Sequence, residues 1–560
     1  MPSLRSLRVA RRSLLLCAAL VAMAHPVPAA AQGTALVAGS DLAYADVDRC
    51  VELGLLDGVI VGQQPYSLRE FARIVRVMRE RLDARGGARN YVLGDRERAA
   101  NGILQRLERR FGDEAEPTLM RPAVSLVDAG AVTFQSTDAT SRGFPGNEAS
   151  QTEATIEPLT YRRLGRRAPP GSSLGLTLEQ RVEPLPWLAF RARERFEYRL
   201  PNDTLRPRHD EELLLGSMRA RFGNTALTVG REQFAWAQRE GTGLFLASDA
   251  PALDQVSLAS ESPFYLPGLL GRLGPTAGTL FVADLGASTV RSHSRLLGYK
   301  VSVQPDPSVE FGGSFFNHFG GTGSPPASFG ARLVDFLPFI DVFRRHNYSD
   351  STRALDVESD KVLGIDGRWR IARLNGLTLA GEMLVDDVDV HQITRMLTGY
   401  GSSWISMTLP SLGSPDWSLE LTAKHMGILT YTHTQLTNGI TTRGRLLGDE
   451  LGPNAKALGA ALRWRPSPAV TIEAEGRAAI YSDADYNAFY TDSAQSNYVV
   501  GKTADRGGEL RDRVRASVVF QSDEGLALVV RGGGERVRNL DFQGMRRNEY
   551  LLDVALRLRM

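Results

Sequence analysis

The chain is short of cysteine, of long apolar runs and of net charge, and each shortage narrows what it can be. Two of its 560 residues are cysteines, Cys17 and Cys50. Cys17 falls in a segment expected to be cleaved on export. Cys50 is then alone, and one thiol forms no intramolecular disulfide, so the mature fold must rely on packing and strand closure. After the N-terminal segment no apolar run reaches the roughly eighteen residues of a membrane helix, which excludes a helical membrane protein. Sixty-six Lys and Arg oppose 64 Asp and Glu, a net charge of +2, too balanced for a nucleic-acid footprint. The eight histidines show no metal spacing and have no cysteine companions. No spacing enforces a Ser–His pair. The reading is therefore a non-enzyme with no catalytic residue, no metal and no cofactor.

What is present begins with an export signal. Arg5, Arg8, Arg11 and Arg12 form a positive region, Leu14 to Ala24 a short apolar one, and Ala29-Ala30-Ala31 an A-x-A-type cleavage site. Residues 1–31 are thus expected to be a secretory signal peptide. Leu16, before Cys17, is too large for a lipidation site.

Residues 40–112 carry a helical period. Ser40-Asp41 can cap a first helix ending near Gly54 or Gly58, and Ser67 with Glu70 forms a capping box for a second. That second helix aligns Leu68, Phe71, Val75, Met78 and Leu82 on one stripe. Asp95 can cap a third, with Ile103, Leu104, Leu107 and Phe111 apolar and Gly112 as its stop. A small helical bundle is predicted, placed in the periplasm.

From about residue 121 the period becomes two, the signature of strands whose faces meet different surroundings. The last eleven residues show it without a fault. Tyr550, Leu552, Val554, Leu556, Leu558 and Met560 take one face, and Leu551, Asp553, Ala555, Arg557 and Arg559 the other. About ten alternating residues suit a strand crossing a membrane barrel, whose closure satisfies every backbone hydrogen bond in lipid. The mean hydropathy of −0.19 fits a barrel whose lumenal half is polar. Short turns at Gly223-Asn224, Arg373 to Gly376, Pro466-Ser467-Pro468 and Ser522 to Gly525 alternate with long connections at about 136–172, 232–277, 317–358, 387–400 and 482–508. Short turns on one rim and long loops on the other is the outer-membrane arrangement. The fold class predicted is mainly β: a transmembrane antiparallel barrel of about 16–18 strands over residues 121–560, facing outer-membrane lipid, with the helical bundle before it. Inward positions mix Arg with Glu and Asp. This mix suits either a lumen whose charges neutralise one another around a plug or a field that steers a ligand. Of six tryptophans most are expected in interfacial girdles, and Trp236 in a loop.

Three stretches carry a resemblance: residues 47–71 (VDRCVELGLLDGVIVGQQPYSLREF), 229–260 (VGREQFAWAQREGTGLFLASDAPALDQVSLAS) and 363–387 (LGIDGRWRIARLNGLTLAGEMLVDD). They resemble the capsule-assembly outer-membrane barrels of Wzi type, in which a signal and a small helical bundle precede a barrel of about eighteen strands. The resemblance implies a cell-outer-membrane protein that binds capsular or extracellular polysaccharide and takes part in its assembly or attachment, without catalysis. The barrel alone allows a second function, a porin or polysaccharide-export channel. Candidate residues for polysaccharide binding or for a lumen plug are Arg231, Trp236, Asp249, Asp386 and Asp387. The connection after Gly230-Arg231 is too long for a turn. It is expected to fold against or into the barrel, with Arg231 paired to lumenal carboxylates and Trp236 packed or placed to meet a sugar. A monomer is expected.

Overall fold

The structure, a computed structural model, describes residues 34–86, 94–112, 123–139, 142–143, 155–156, 170–202, 207–239, 241–287, 291–326, 332, 335–336, 359–386, 401–427, 430–431, 436, 439–481, 507–522, 525–540 and 542–559. The expected signal peptide, residues 1–31, lies outside them.

Three helices come first: α1 (Ala43–Glu52), α2 (Leu68–Gly86) and α3 (Asp95–Phe111). Asp41 accepts the Ala43 N–H at 2.9 Å, and Ser67 Oγ accepts the Glu70 N–H at 3.1 Å. Both are side-chain acceptors for helix-start donors that have no partner inside the helix. Asp95 is the first helical residue rather than the cap, which falls on Gly94. The predicted apolar stripe of α2 is fully buried, and Phe71 stacks on Phe111 of α3 at 4.5 Å. Cys50 is buried among these side chains.

The rest is one closed antiparallel barrel. Its strands are β1 (Ala123–Thr137), β2 (Gly171–Leu185), β3 (Leu188–Pro201), β4 (Arg208–Phe222), β5 (Thr225–Glu232) and β6 (Leu253–Ser260). Next come β7 (Pro275–Asp284), β8 (Arg295–Asp306), β9 (Val309–Phe319), β10 (Ser359–Ile371), β11 (Leu377–Asp386) and β12 (Ser402–Leu409). The circuit ends with β13 (Trp417–Met426), β14 (Ala455–Ser467), β15 (Val470–Tyr481), β16 (Glu509–Gln521), β17 (Leu526–Leu540) and β18 (Met545–Arg559). Each pairs with the next, and β1 closes the ring on β18 from Ala129↔Arg559 to Thr137↔Leu551. Closure removes both sheet edges, the condition for crossing lipid with strands. No helix among the described residues is long and apolar enough to cross a membrane.

The alternation read in the sequence is the barrel's inside and outside. In β18, Tyr550, Leu552, Leu556 and Leu558 are exposed outward, whereas Leu551 and Ala555 are buried. Inward arginines find carboxylates. Arg511 donates to Glu509 at 2.6 Å and Glu535 at 2.8 Å, and Arg515 to Glu475 at 2.7 Å. Four tryptophans mark the short-turn rim. Trp187, Trp369 and Trp464 are exposed, and Trp417 stacks on its cross-strand partner Trp464 at 5.4 Å. Such an aromatic belt suits a membrane interface, where an amphipathic ring meets both lipid and water.

The expected long connection at 232–277 is in fact two. Residues 233–252 are a long-rim connection, 253–260 cross back as β6, and 261–274 join β6 to β7 on the short-turn side. In β6 Gln255 and Ser257 take inward positions while Val256 and Leu258 face outward. The helices pack on the short-turn rim: Arg106 donates to Pro468 O at 2.5 Å, and Arg370 to Glu52 O at 3.0 Å. At the opposite rim, two-residue strands at Arg142–Gly143, Thr155–Ile156, Thr441–Thr442 and Arg445–Leu446 form a separate small sheet from two long connections.

Candidate functional site

The lumen is the part of the molecule that the strand pattern does not account for. The 233–252 connection turns inward rather than out. It exchanges two backbone hydrogen bonds with the segment before α2, Ala235 with Gln64, each 3.0 Å. Trp236 is fully buried and lies 5.5 Å from Phe281 and 5.6 Å from Phe316. Phe245 meets Phe316 edge-on at 4.8 Å. These rings sit against barrel-wall glycines. A Cβ at Gly298 would collide with Phe281 and Phe316, and one at Gly364 with Phe245. The wall is thinned where the plug is thick. The β13–β14 connection adds a second layer: Ala247 donates to Leu447 O at 3.0 Å, and Tyr431 Oη to Leu244 O at 2.7 Å. Together the two connections build an apolar core inside the barrel.

Polar residues pin this core to the wall. Glu310 accepts from the N–H groups of Val61 (3.0 Å) and Gly62 (2.8 Å) and from Gln238 Nε2 (3.1 Å). Asp366 accepts from Gln238 at 2.5 Å and from the buried Lys300 at 2.6 Å. Glu382 accepts the Leu244 N–H at 2.8 Å and Trp404 Nε1 at 3.0 Å. Arg239 joins three parts of the fold. It donates to both oxygens of Glu420 on β13, at 3.0 and 2.8 Å, and to Glu52 of α1 at 3.3 Å. Burial pushes the Glu52 carboxyl up, but Arg239 and Arg49 outweigh it and bring it down to about 2. Buried charges persist only when paired and hydrogen-bonded in this way. Such groups lock a plug in place. Among the described residues no three His, Cys, Asp or Glu are grouped to hold a metal.

The five candidate residues do not converge. Trp236 is packed, as one of its two expected settings had it. Arg231 has a carboxylate partner, but not a lumenal one. It lies on the outward face of β5 beside exposed Val229 and grips Asp254 of β6 at 2.7 and 2.8 Å. Arg443 approaches the same Asp254 at 3.6 Å and Glu212 at 3.8 Å. The expectation fails by parity: Glu232, one residue on, takes the inward position and binds Arg191 at 2.6 Å. Asp249 lies in the lumenal connection beside a cavity of about 130 Å3. Burial and Glu450 push its carboxyl up to about 6. Asp386 ends β11, opposite Val362, and Asp387 lies outside the described residues. Of the histidines near the long rim, His433 also lies outside them and His425 is on β13, opposite Ser403 and Lys456. Sequence reasoning missed Gln238, Arg239, Glu382 and Tyr431. One signal was available: Glu310, Asp366, Glu382 and Glu420 all occupy inward positions of strands, where each can accept from the lumenal connection as well as from wall donors such as Lys300, Trp404 and Arg463.

A closed eighteen-strand antiparallel barrel with an apolar outer face, an aromatic rim and helices packed on its short-turn side defines an outer-membrane β-barrel, here with a filled lumen. Residues 141–549 match the capsule assembly protein Wzi family, and the chain belongs to that family. Among solved structures it is similar to Wzi of Escherichia coli, described as an outer-membrane, carbohydrate-binding β-barrel involved in group 1 capsule assembly. The identity is 13%, with 94% of this chain and 99% of that chain covered and a TM-score of 0.63. Pseudomonas aeruginosa OccD3 (13% identity, 80% and 96% covered, TM-score 0.41) and Acinetobacter baumannii OccAB2 (11%, 78% and 99%, 0.43) are less similar. No curated protein sequence matches the chain.

Proposed function

We propose that this barrel binds capsular or extracellular polysaccharide at its long-loop rim and takes part in holding it at the cell surface, as a monomer and without catalysis. In this reading the short-turn rim and the helices face the periplasm, because the chain enters the barrel from that side. The family supports the process. The observation that carries the binding role is the filled lumen: Trp236, Phe245, Phe281 and Phe316 occupy the space through which a diffusion channel would conduct. A protein that holds a polymer at its mouth has no use for that passage.

The test has two arms. Purified barrel in planar bilayers is expected to show no large steady conductance, and cells lacking the protein to shed surface polysaccharide into the medium. An open pore with unchanged retention would overturn the reading in favour of a porin.

A further inference from the structure

Between α1, α3 and the barrel wall lies a cavity of about 470 Å3, within the roughly 300–1,000 Å3 range of small-molecule sites. It exists because the wall is thin there. Ala129 and Ala131 of β1 and Ala527 of β17 line it, where longer inward side chains would fill it. Exposed Arg109, Gly525 and Leu526 frame its mouth at the short-turn rim.

Seven arginines and four carboxylates line this space, and the carboxylates are all engaged. Asp41 is held by Arg110 and, at 3.0 Å, by Arg559. Asp46 holds Arg106 at 2.6 Å. Asp128 holds Arg181 at 3.0 Å and Arg559 at 3.2 Å. Glu179 leans toward Arg191, 3.9 Å away. Arg193 and Arg557 are left over. Both converge on one residue: Arg193 donates to Ser40 Oγ at 2.9 Å, and Arg557 to Ser40 O at 3.1 Å. Among the described residues neither has a carboxylate within ion-pair distance, and the buried Nε of Arg193 has no acceptor.

Glu179 and Asp41 act on Arg193, and Asp41 and Asp553 on Arg557, only from beyond ion-pair distance; two guanidiniums brought together this way repel each other and lose hydration. A planar donor fork is also the group best matched to carboxylate and phosphate oxygens. We infer that this cavity is a binding site for an oxyanion, a phosphate or carboxylate group gripped by Arg193 and Arg557 above Ser40. The group reaches it from the short-turn side. The site is separate from the plug and from the polysaccharide-holding rim.

The test uses full-length barrel in detergent and calorimetry. The probes are inorganic phosphate, glucuronate, and mixed micelles containing phosphatidylglycerol. At least one probe is expected to bind, with affinity reduced tenfold or more in Arg193→Gln and in Arg557→Gln. Binding of a soluble probe makes the source a free anion, and binding of the micelles alone makes it a lipid headgroup. Ala131→Leu keeps every charge and fills the space, so it too is expected to abolish binding; heat-shifted gel mobility reports that each variant still folds. Absence of binding by every probe to the wild type, or equal binding by the arginine variants, would overturn the inference.

Discussion

Replacing Arg239 by Ala is expected to free the lumenal connection while leaving the barrel closed. Arg239 makes three charge-assisted hydrogen bonds, two to Glu420 and one to Glu52, and all three side chains are at least nine-tenths covered. Removing one partner of a buried ion pair costs about 3–5 kcal/mol. Here neither carboxylate is abandoned, because Glu420 keeps Arg463 at 2.9 Å and Glu52 keeps Arg49 at 3.2 Å. The lower end of the range therefore applies, about 3 kcal/mol, or roughly a hundredfold in an opening equilibrium. The amides to follow are Trp236, which donates to Leu246 O at 2.9 Å, and Leu244, which donates to Glu382 at 2.8 Å. Hydrogen exchange in peptides spanning 233–252 is expected to accelerate by about that hundredfold, with heat-shifted gel mobility unchanged. Arg231→Ala is the control. Its pair with Asp254 is outward and half-exposed, worth about 1 kcal/mol or less, so exchange in the same peptides should stay within about threefold of wild type. Equal exchange in Arg239→Ala and wild type would refute the reasoning, as would faster exchange in Arg231→Ala than in Arg239→Ala.

Asp249 gives the plug a pH dependence. Its carboxyl, at about 6 in the fold against an ordinary 3.8, is favoured by folding in the protonated form. Packing of the connection is therefore tightest below about pH 4, loosens as pH rises through 6, and levels off above it. Burial, Glu450 and Asp449 push in this direction and Arg445 opposes them. Protease sensitivity of residues 241–252 between pH 4 and 8 should show the trend and Asp249→Asn should flatten it; a flat wild-type profile contradicts the assignment. On the outer face, Leu556→Arg puts a charge where lipid is expected and should destabilise the barrel by about 2–4 kcal/mol near the midplane. Refolding titrations into bilayers measure this, and an unchanged midpoint would place Leu556 out of the hydrocarbon.

The barrel was legible because period-two alternation is a local property. In β18 and β15 each side chain declares its face, and the short turns punctuate the pairs. The capped helices were legible for the same reason. That the connection after Arg231 folds inward was legible from its length, but its contacts were not, because a loop that packs inside a barrel has no period. Arg231 shows the limit most clearly. Its sequence neighbour Glu232 faces the lumen, and a single step of parity decides between a plug anchor and an outward pair. Trp404 illustrates the same point. Residue type alone groups it with the girdle, yet it points inward to Glu382 because its partners across the sheet put that face inside.

The seam between β1 and β18 sets an order of assembly. Both arginines at the end of β18 contact the segment that leads into α1, Arg557 at Ser40 and Arg559 at Asp41. The segment that leads into α1 therefore obtains two of its ligands from β18. The helices can be fully formed early, yet their berth under the rim is unfinished until the terminal strand has zipped against the first. Docking of the bundle thus reports that the circuit is complete, and a chain truncated before Arg557 would lack these two contacts as well as a closed seam.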